Sequence, residues 1–260
     1  MEGLIVEHAE GVLELRLDRP DKMNAVTPGM VAALRSAIDA AAVDAAVRCV
    51  LLTAAGRAFC AGRDLSGASG GEDAERILAR EMNPVVAALF ALPKPTVAAV
   101  NGAAMGFGLG LALACDVVYA GASARFGVPF ARLGAALDSG GHWLLPRRLP
   151  PGRVLEMIFS AEPVDGATAE RIGLAERCLP DESLREQARR FAQRCADGPA
   201  HAFARQKALL RSAPTLGLDE VLAAEARLQG ELAQTADYRE GIEAFQQRRA
   251  PVFRRSHAGA

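Results

Sequence analysis

The chain has 260 residues, half of them hydrophobic and 23% charged, with a formal net charge of −1. That length and apolar content suffice for one substantial core and argue against disorder. The near-neutral balance offers no electrostatic footprint for nucleic acid or for an anionic membrane. Only Lys22, Lys94 and Lys207 are lysines among 30 basic residues, an arginine bias that speaks of genome composition more than of function.

In chain order, "LIVEHAEGVLELRLDRP" predicts two strands turned at Glu10-Gly11, the second with one polar face. Its opening is acidic and alternating, unlike the basic start and apolar block of a signal peptide. Thr27 is placed to cap a helix that has Pro28 at its first position and runs through "MVAALRSAIDAAA". "VRCVLLTAA" is a continuous apolar run, as expected of a parallel strand covered on both faces. The loop "GRAFCAGRDLSGASGG" follows, then one long helix, "EDAERILAREMNPVVAALFAL". After Pro93 and Pro95 come the strand "TVAAVNG", a glycine-rich turn, the helix "LGLALAC" and the strand "DVVYAG". This alternation predicts an α/β fold with a largely parallel sheet. From about Gly134 onward the signals are helical, through "PGRVLEMIFS", "DGATAERIG", "ESLREQARRFAQRCA", "HAFARQKALLRS" and "LDEVLAAEARLQGELAQ". A soft boundary near residue 200 divides a core, 1–200, from a helical region, 201–260, expected to pack on a neighbouring subunit.

The five cysteines, Cys49, Cys60, Cys115, Cys178 and Cys195, form no CxxC pair and read as reduced, buried thiols. His8, His142, His201 and His257 have no metal-ligand spacing, so no metal is expected. No apolar run approaches the roughly 20 residues of a membrane helix. A cytoplasmic protein is the expectation.

Two loops, "FCAGRD" and "NGAAMGFGLG", follow apolar strands and place small residues where a ligand approaches the backbone. If the second opens the next helix, the amides near Gly106, Phe107 and Gly108 suit a developing negative charge. Either loop alone reads as a tight connection, and "GFGLG" matches the dinucleotide fingerprint poorly. Taken together with "RPDKMNAV", "GRAFCAGRDL", "KPTVAAVNGAAMGFGLGLALACDVVYA" and "ARFGVPFARLG", the chain resembles the crotonase, or enoyl-CoA hydratase/isomerase, superfamily over roughly residues 4 to 180, with a looser likeness in "YREGIEAFQQRR".

The resemblance implies the crotonase fold, an α/β fold of repeated ββα units with a helical C-terminal region, assembled as trimers or dimers of trimers. It implies an acyl-CoA substrate, no cofactor beyond that coenzyme A, and an oxyanion hole made by the amides of Arg63 and Phe107. It also places the coenzyme along Lys22, Ala25, Ala61, Arg63, Asp64 and Leu65, with Phe245 and Arg249 as a wall from the C-terminal helix. For the charged members of that set the bland alternative is a solvated surface. Asp64 more simply shapes its turn, and Cys60, in an apolar context, suits packing better than attack.

The departures are as informative. Two positions that carry catalytic glutamates in hydratases of the family align with Gly110 and Phe130 here. Adding water needs one group to activate it and another to manage the proton, so these losses argue against ordinary hydratase chemistry. Asp138, within "RLGAALDSGGHWLLP", aligns with the aspartate of dienoyl-CoA and ring-epoxide isomerases of the superfamily. Taken alone, Asp138 reads as the cap of the helix that follows it. With both glutamates absent and the family position matched, catalysis is favoured. Asn83 has two even readings, a residue reaching the pocket or a helix start before Pro84. The expectation is an acyl-CoA isomerase. Its rivals are a hydratase, a thioester hydrolase or ring-cleaving enzyme, and a non-catalytic coenzyme A binder; the lack of a lysine-rich helix weighs against RNA.

Overall fold

A computed structural model describes residues 3–68 and 71–253. The first half carries β1 (Leu4–Ala9), β2 (Val12–Leu17), α1 (Pro28–Val43), β3 (Cys49–Ala54), β4 (Ala58–Cys60), α2 (Ala74–Ile77), α3 (Asn83–Ala91), β5 (Thr96–Val100), β6 (Ala103–Met105), α4 (Phe107–Ala114), β7 (Val117–Gly121) and β8 (Arg125–Gly127). The second half carries α5 (Gly141–Leu144), α6 (Pro151–Ser160), β9 (Val164–Asp165), α7 (Gly166–Ile172), β10 (Arg177–Leu179), α8 (Asp181–Asp197), α9 (Ala200–Ser212), α10 (Leu218–Leu232) and α11 (Ala236–Gln246).

The strands form two sheets, one ordered β1-β2-β3-β5-β7-β10 and one ordered β4-β6-β8-β9. Each central strand of the large sheet is followed by a short strand of the small one, β3 by β4, β5 by β6 and β7 by β8, which is the repeated unit expected of the fold. In the large sheet β1 and β2 are antiparallel and the other pairings are parallel.

Strand β3 shows why its sequence is apolar throughout. Val50 and Leu52 face a core shared with α1, α3 and α4, whereas Cys49 and Leu51 face the opposite side, beneath Leu184, Ala188, Ala192 and Ala196 of α8. Both faces are dry, and each buried leucine or valine stabilises the fold by about 2 kcal/mol. The alanines recur every fourth residue, so α8 lays a flat stripe on the sheet. The polar face expected of β2 lies under that helix. Glu14 is only 1% exposed, and Thr53 Oγ1 donates to its Oε1 at 2.8 Å while Arg185 Nε donates at 3.1 Å. Pairing of this kind is what makes a buried carboxylate tolerable.

Thr27 caps α1 as expected, its Oγ1 accepting from Met30 N at 3.2 Å, with Pro28 at the first helical position. The single helix expected over residues 72–92 is instead broken into α2, a π-helical turn over Leu78–Met82, and α3. Pro84 has no N–H to offer the carbonyl four residues back, and Asn83 N donates instead to Leu78 O, five residues back. The cap reading of Asp138 is also overturned. Gly140 is the N-cap of α5, with no side-chain capping bond.

Helix α9 is fastened to the core by charge. Asp116 Oδ2 accepts from Lys207 Nζ at 2.7 Å, from Thr96 Oγ1 at 2.9 Å and from Thr96 N at 2.8 Å, and its Oδ1 accepts from Arg211 Nη2 at 2.7 Å.

Candidate active site

Two backbone amides meet at the ends of β4 and β6. Val26 and Arg63 form a parallel bridge in which Val26 N donates to Gly62 O at 2.9 Å and Asp64 N donates to Val26 O at 3.0 Å. The residue straddled by those bonds turns its own N–H to the other side, so the Arg63 amide points away from Val26. Gly62 stands beside the start of α4. A Cβ placed on it would lie 3.2 Å from Met105 O and 4.0 Å from Phe107 N. Phe107 is the first residue of α4, and the N–H of a first helical residue has no partner within its own helix. Gly62 (φ +101°) and Gly106 (φ +50°, ψ −113°) hold conformations closed to residues with side chains. They set the peptide planes that carry the two N–H groups. The Phe107 ring is buried in the core, so only its backbone N–H is available to a ligand.

The supporting loop is tied by Asn24. Fully buried, it donates from Nδ2 to Ala55 O and Ala58 O at 2.8 Å each and accepts from Arg19 N at 2.7 Å. Ala61 N donates to Met23 O at 3.0 Å, so the 22–26 and 61–64 segments lie side by side. Asn24→Ala strands two carbonyls and an amide, and we expect a loss of about 3 kcal/mol of stability by urea unfolding, with weakened acyl-CoA affinity.

Lys22, Ala25, Ala61, Arg63, Asp64 and Leu65 thus come together, although their side chains are not equally available. Lys22 and Leu65 are exposed, Ala25 and Ala61 half-buried. Arg63 is held in a fork by Glu72 at 2.7 Å on both arms, which raises its pKa and occupies its guanidinium. Asp64 accepts from Arg19 Nη1 at 2.5 Å and from Ser66 N at 2.9 Å. Those bonds hold its carboxyl well below the usual carboxylate range and give it the turn-shaping role. A cavity of about 290 Å³ runs along Val26, Arg63, Asp64 and Met82. Phe245 does not join this group: it is 84% exposed on α11. Arg249 is paired with Glu240 at 2.6 and 3.0 Å.

A cavity of about 560 Å³ opens beyond the loop, lined by Leu78, Asn83, Val86, Ala87 and Phe90 on one side and by Leu137, Asp138, Ser139, Gly140, His142, Trp143 and Leu144 on the other. Asp138 is the only carboxylate among the described residues that line it, and is half-buried. Burial pushes its carboxyl above the ordinary value, opposed by the Ser139 hydroxyl. Asn83 is exposed at the start of α3, on this wall. Phe90 and Trp143 meet edge to face with centroids 4.9 Å apart.

The structure shows what surrounds both positions of the missing glutamates. A Cβ on Gly110 would stand 2.6 Å from Ser139 O and 2.7 Å from Ser139 Cβ, so the turn bearing Asp138 fills the space of a side chain at 110. Phe130 itself stands at the other position, its ring against the turn before α4, with Cζ 3.2 Å from where a Cβ on Gly106 would lie. Ser139 therefore packs against α4 at Gly110, one helical turn after Phe107, the first residue of that helix. Ser139 belongs to no motif of the sequence; in the structure it is a non-glycine residue at positive φ followed by two glycines.

Cys60 is fully buried, its thiol pushed up to about 12, which suits packing and not attack. A larger cavity, about 900 Å³, shares Phe90, Trp143 and Leu144 with the cavity that Asp138 lines. Its Asp116, Lys207 and Arg211 are paired with one another in the clasp that holds α9. Among the described residues no cluster of His, Cys, Asp or Glu is arranged to hold a metal ion; His257 lies outside them. No helix among them is long and apolar enough to cross a membrane.

Comparison with known proteins shows the family of the chain. The family model for enoyl-CoA hydratase/isomerase matches residues 7–256. A protein of Rhodobacter capsulatus named "Probable enoyl-CoA hydratase" is 43% identical, with 95% of this chain and 96% of that protein covered. The 1,2-epoxyphenylacetyl-CoA isomerase of Escherichia coli is 37% identical, with 97% and 99% covered. The crystal structure of an enoyl-CoA hydratase from Mycobacterium smegmatis superposes with a TM-score of 0.90 at 30% identity, covering 97% and 99% of the two chains. The chain belongs to the enoyl-CoA hydratase/isomerase family and has the crotonase fold.

Proposed function

We propose that the protein is an acyl-CoA isomerase that moves a proton between carbons of the acyl group without adding water. The observation that carries this reading is the carboxyl of Asp138, the one acid among the described residues that line its cavity, with glycine at 110 and phenylalanine at 130. In the proposed reaction the thioester oxygen rests between the Arg63 and Phe107 amides. Asp138 takes the proton from a carbon made acidic by that carbonyl, and the electron pair moves onto the thioester oxygen, where the two amides stabilise it. The same carboxyl then returns the proton to another carbon, and the carbonyl re-forms. Atoms balance with no co-reactant. A carboxyl raised by burial is a stronger base in the first step and remains a competent acid in the second. A double-bond shift and the opening of a strained ring both fit this sequence of steps. No cofactor is required beyond the coenzyme A of the substrate. The reading also carries a trimer or dimer of trimers, in which the exposed Phe245 is free to meet a neighbouring subunit.

A second reading, hydration by a water held at Asp138, is favoured by the hydratase names of relatives such as the Rhodobacter capsulatus protein. Mass analysis of products from a panel of unsaturated and ring-epoxide acyl-CoA thioesters separates the two. Isomerisation leaves the mass unchanged. Addition of one water across the panel contradicts the isomerase reading.

A further inference from the structure

The carboxyl of Asp138 has one hydrogen-bond partner among the described residues, the hydroxyl of Ser139, which donates to Oδ1 at 2.7 Å. Ser139 is only 2% exposed, and two independent contacts fix where that hydroxyl stands. One is the turn itself. Gly141 N donates to Asp138 O at 2.8 Å, and the two central residues both have positive φ, +51° at Ser139 and +77° at Gly140, the pattern of a type I′ turn. The other is α4, against which Ser139 O and Cβ pack where Gly110 has no side chain. A residue with a Cβ is strained at this φ and glycine is not. Two of the three residues after Asp138 are glycine, and the strained one carries the hydroxyl; a backbone outlier of this kind at a site points to function.

We infer that Ser139 is a positioning residue for Asp138: its hydroxyl, held by the turn and by α4, grips Oδ1 and leaves Oδ2 as the oxygen that exchanges the proton. The inference rests on the reading of Asp138 as the proton carrier. Without the hydroxyl the carboxyl is free to rotate about its last torsion and loses the one donor that favours its charged form. No other group among the described residues hydrogen-bonds this carboxyl. On the cavity wall α5 contributes His142 and Trp143, α3 contributes the uncharged Asn83, Val86, Ala87 and Phe90, and the sequence of α4, "FGLGLALA", has no charged side chain. Among the described residues His142 is thus the one other titratable group lining this space.

Ser139→Gly tests the inference, because glycine adopts the native φ without strain and only the hydroxyl and its carbon are lost. Ser139→Cys keeps the shape with a weaker donor and serves if the glycine variant folds poorly. The Asp138 carboxyl is followed by carboxyl-carbon NMR across pH, its resonance identified by its loss in Asp138→Asn. We expect the Asp138 titration to move to higher pH in Ser139→Gly, and less far in Ser139→Cys. The acid limb of kcat/KM should move with it, and kcat should fall roughly 10- to 100-fold through misplacement of the acid, with KM nearly unchanged. An Asp138 titration at the same pH in all three proteins overturns the inference. Full turnover in Asp138→Asn overturns instead the catalytic reading of Asp138, an outcome distinct from the first because the titration does not depend on turnover.

Discussion

Asp138→Asn is expected to lower turnover of an acyl-CoA substrate by about 10²- to 10⁴-fold, the usual contribution of a general acid or base, while affinity for the thioester stays close to that of the parent. Asparagine keeps the size and accepts the Ser139 hydroxyl, so packing is preserved and only the proton-carrying group is lost. The same substitution should stabilise the fold at neutral pH. Burial raises the carboxyl in the folded chain above its unfolded value near 3.8. Between those two values the folded chain binds more protons than the unfolded one, so stability falls as pH rises through that window. Above the folded value the penalty is complete. The unfolding midpoint in urea should therefore be higher for Asp138→Asn than for the parent at pH 7, with the advantage shrinking as pH falls towards 4. A variant that is both less active and less stable at pH 7 is incompatible with a desolvated catalytic acid.

The second large effect concerns Gly110. Restoring the glutamate that hydratases of the family carry there is expected to disrupt the site and not to create a hydratase. A Cβ at this position meets Ser139 O at 2.6 Å, and that atom is backbone, unable to swing aside as a side chain would. Gly110→Glu should cost about 3 kcal/mol or more, the range of a core substitution with no room to relax. It should also displace the 138–140 turn. Denaturant unfolding reads the first consequence, and loss of parent activity with no gain of water addition reads the second. A folded Gly110→Glu protein that hydrates a 2-enoyl-CoA at appreciable rate shows that the turn is not a barrier to a second acid.

These two residues also show what was legible in the sequence. The Thr27–Pro28 cap, the turn at Glu10-Gly11, the doubly covered β3 and the order of strands and helices are local signals, each held within a few residues, and the structure carries them. The absence of a side chain at 110 was visible. Its cause was not, because Gly110 and Ser139 are far apart in the chain and meet only when α4 packs beside the turn. Short strands escaped for a different reason: β4, β6 and β8 have three residues each, too few to show a period of two. The break of the helix at Leu78–Met82 depends on what Pro84 withholds from a carbonyl four residues earlier, a signal present in "MNP" but read there as part of one long helix. The polar face of β2 was legible, and its cover was not, since Glu14 is buried by arginines some 170 positions further along. Phe245 is the residue whose expected place, on the coenzyme wall, is not supplied within one chain.

The central claim is that two backbone amides hold the thioester oxygen while Asp138 faces the acyl carbons. A crystal structure with a bound, non-reactive acyl-CoA thioether ketone analogue tests it most directly. The account predicts the carbonyl oxygen about 3 Å from both Arg63 N and Phe107 N, with an Asp138 oxygen within reach of the adjacent carbon. An acyl chain lodged instead in the larger cavity beside Asp116 and Lys207, with Asp138 facing no ligand atom, contradicts it.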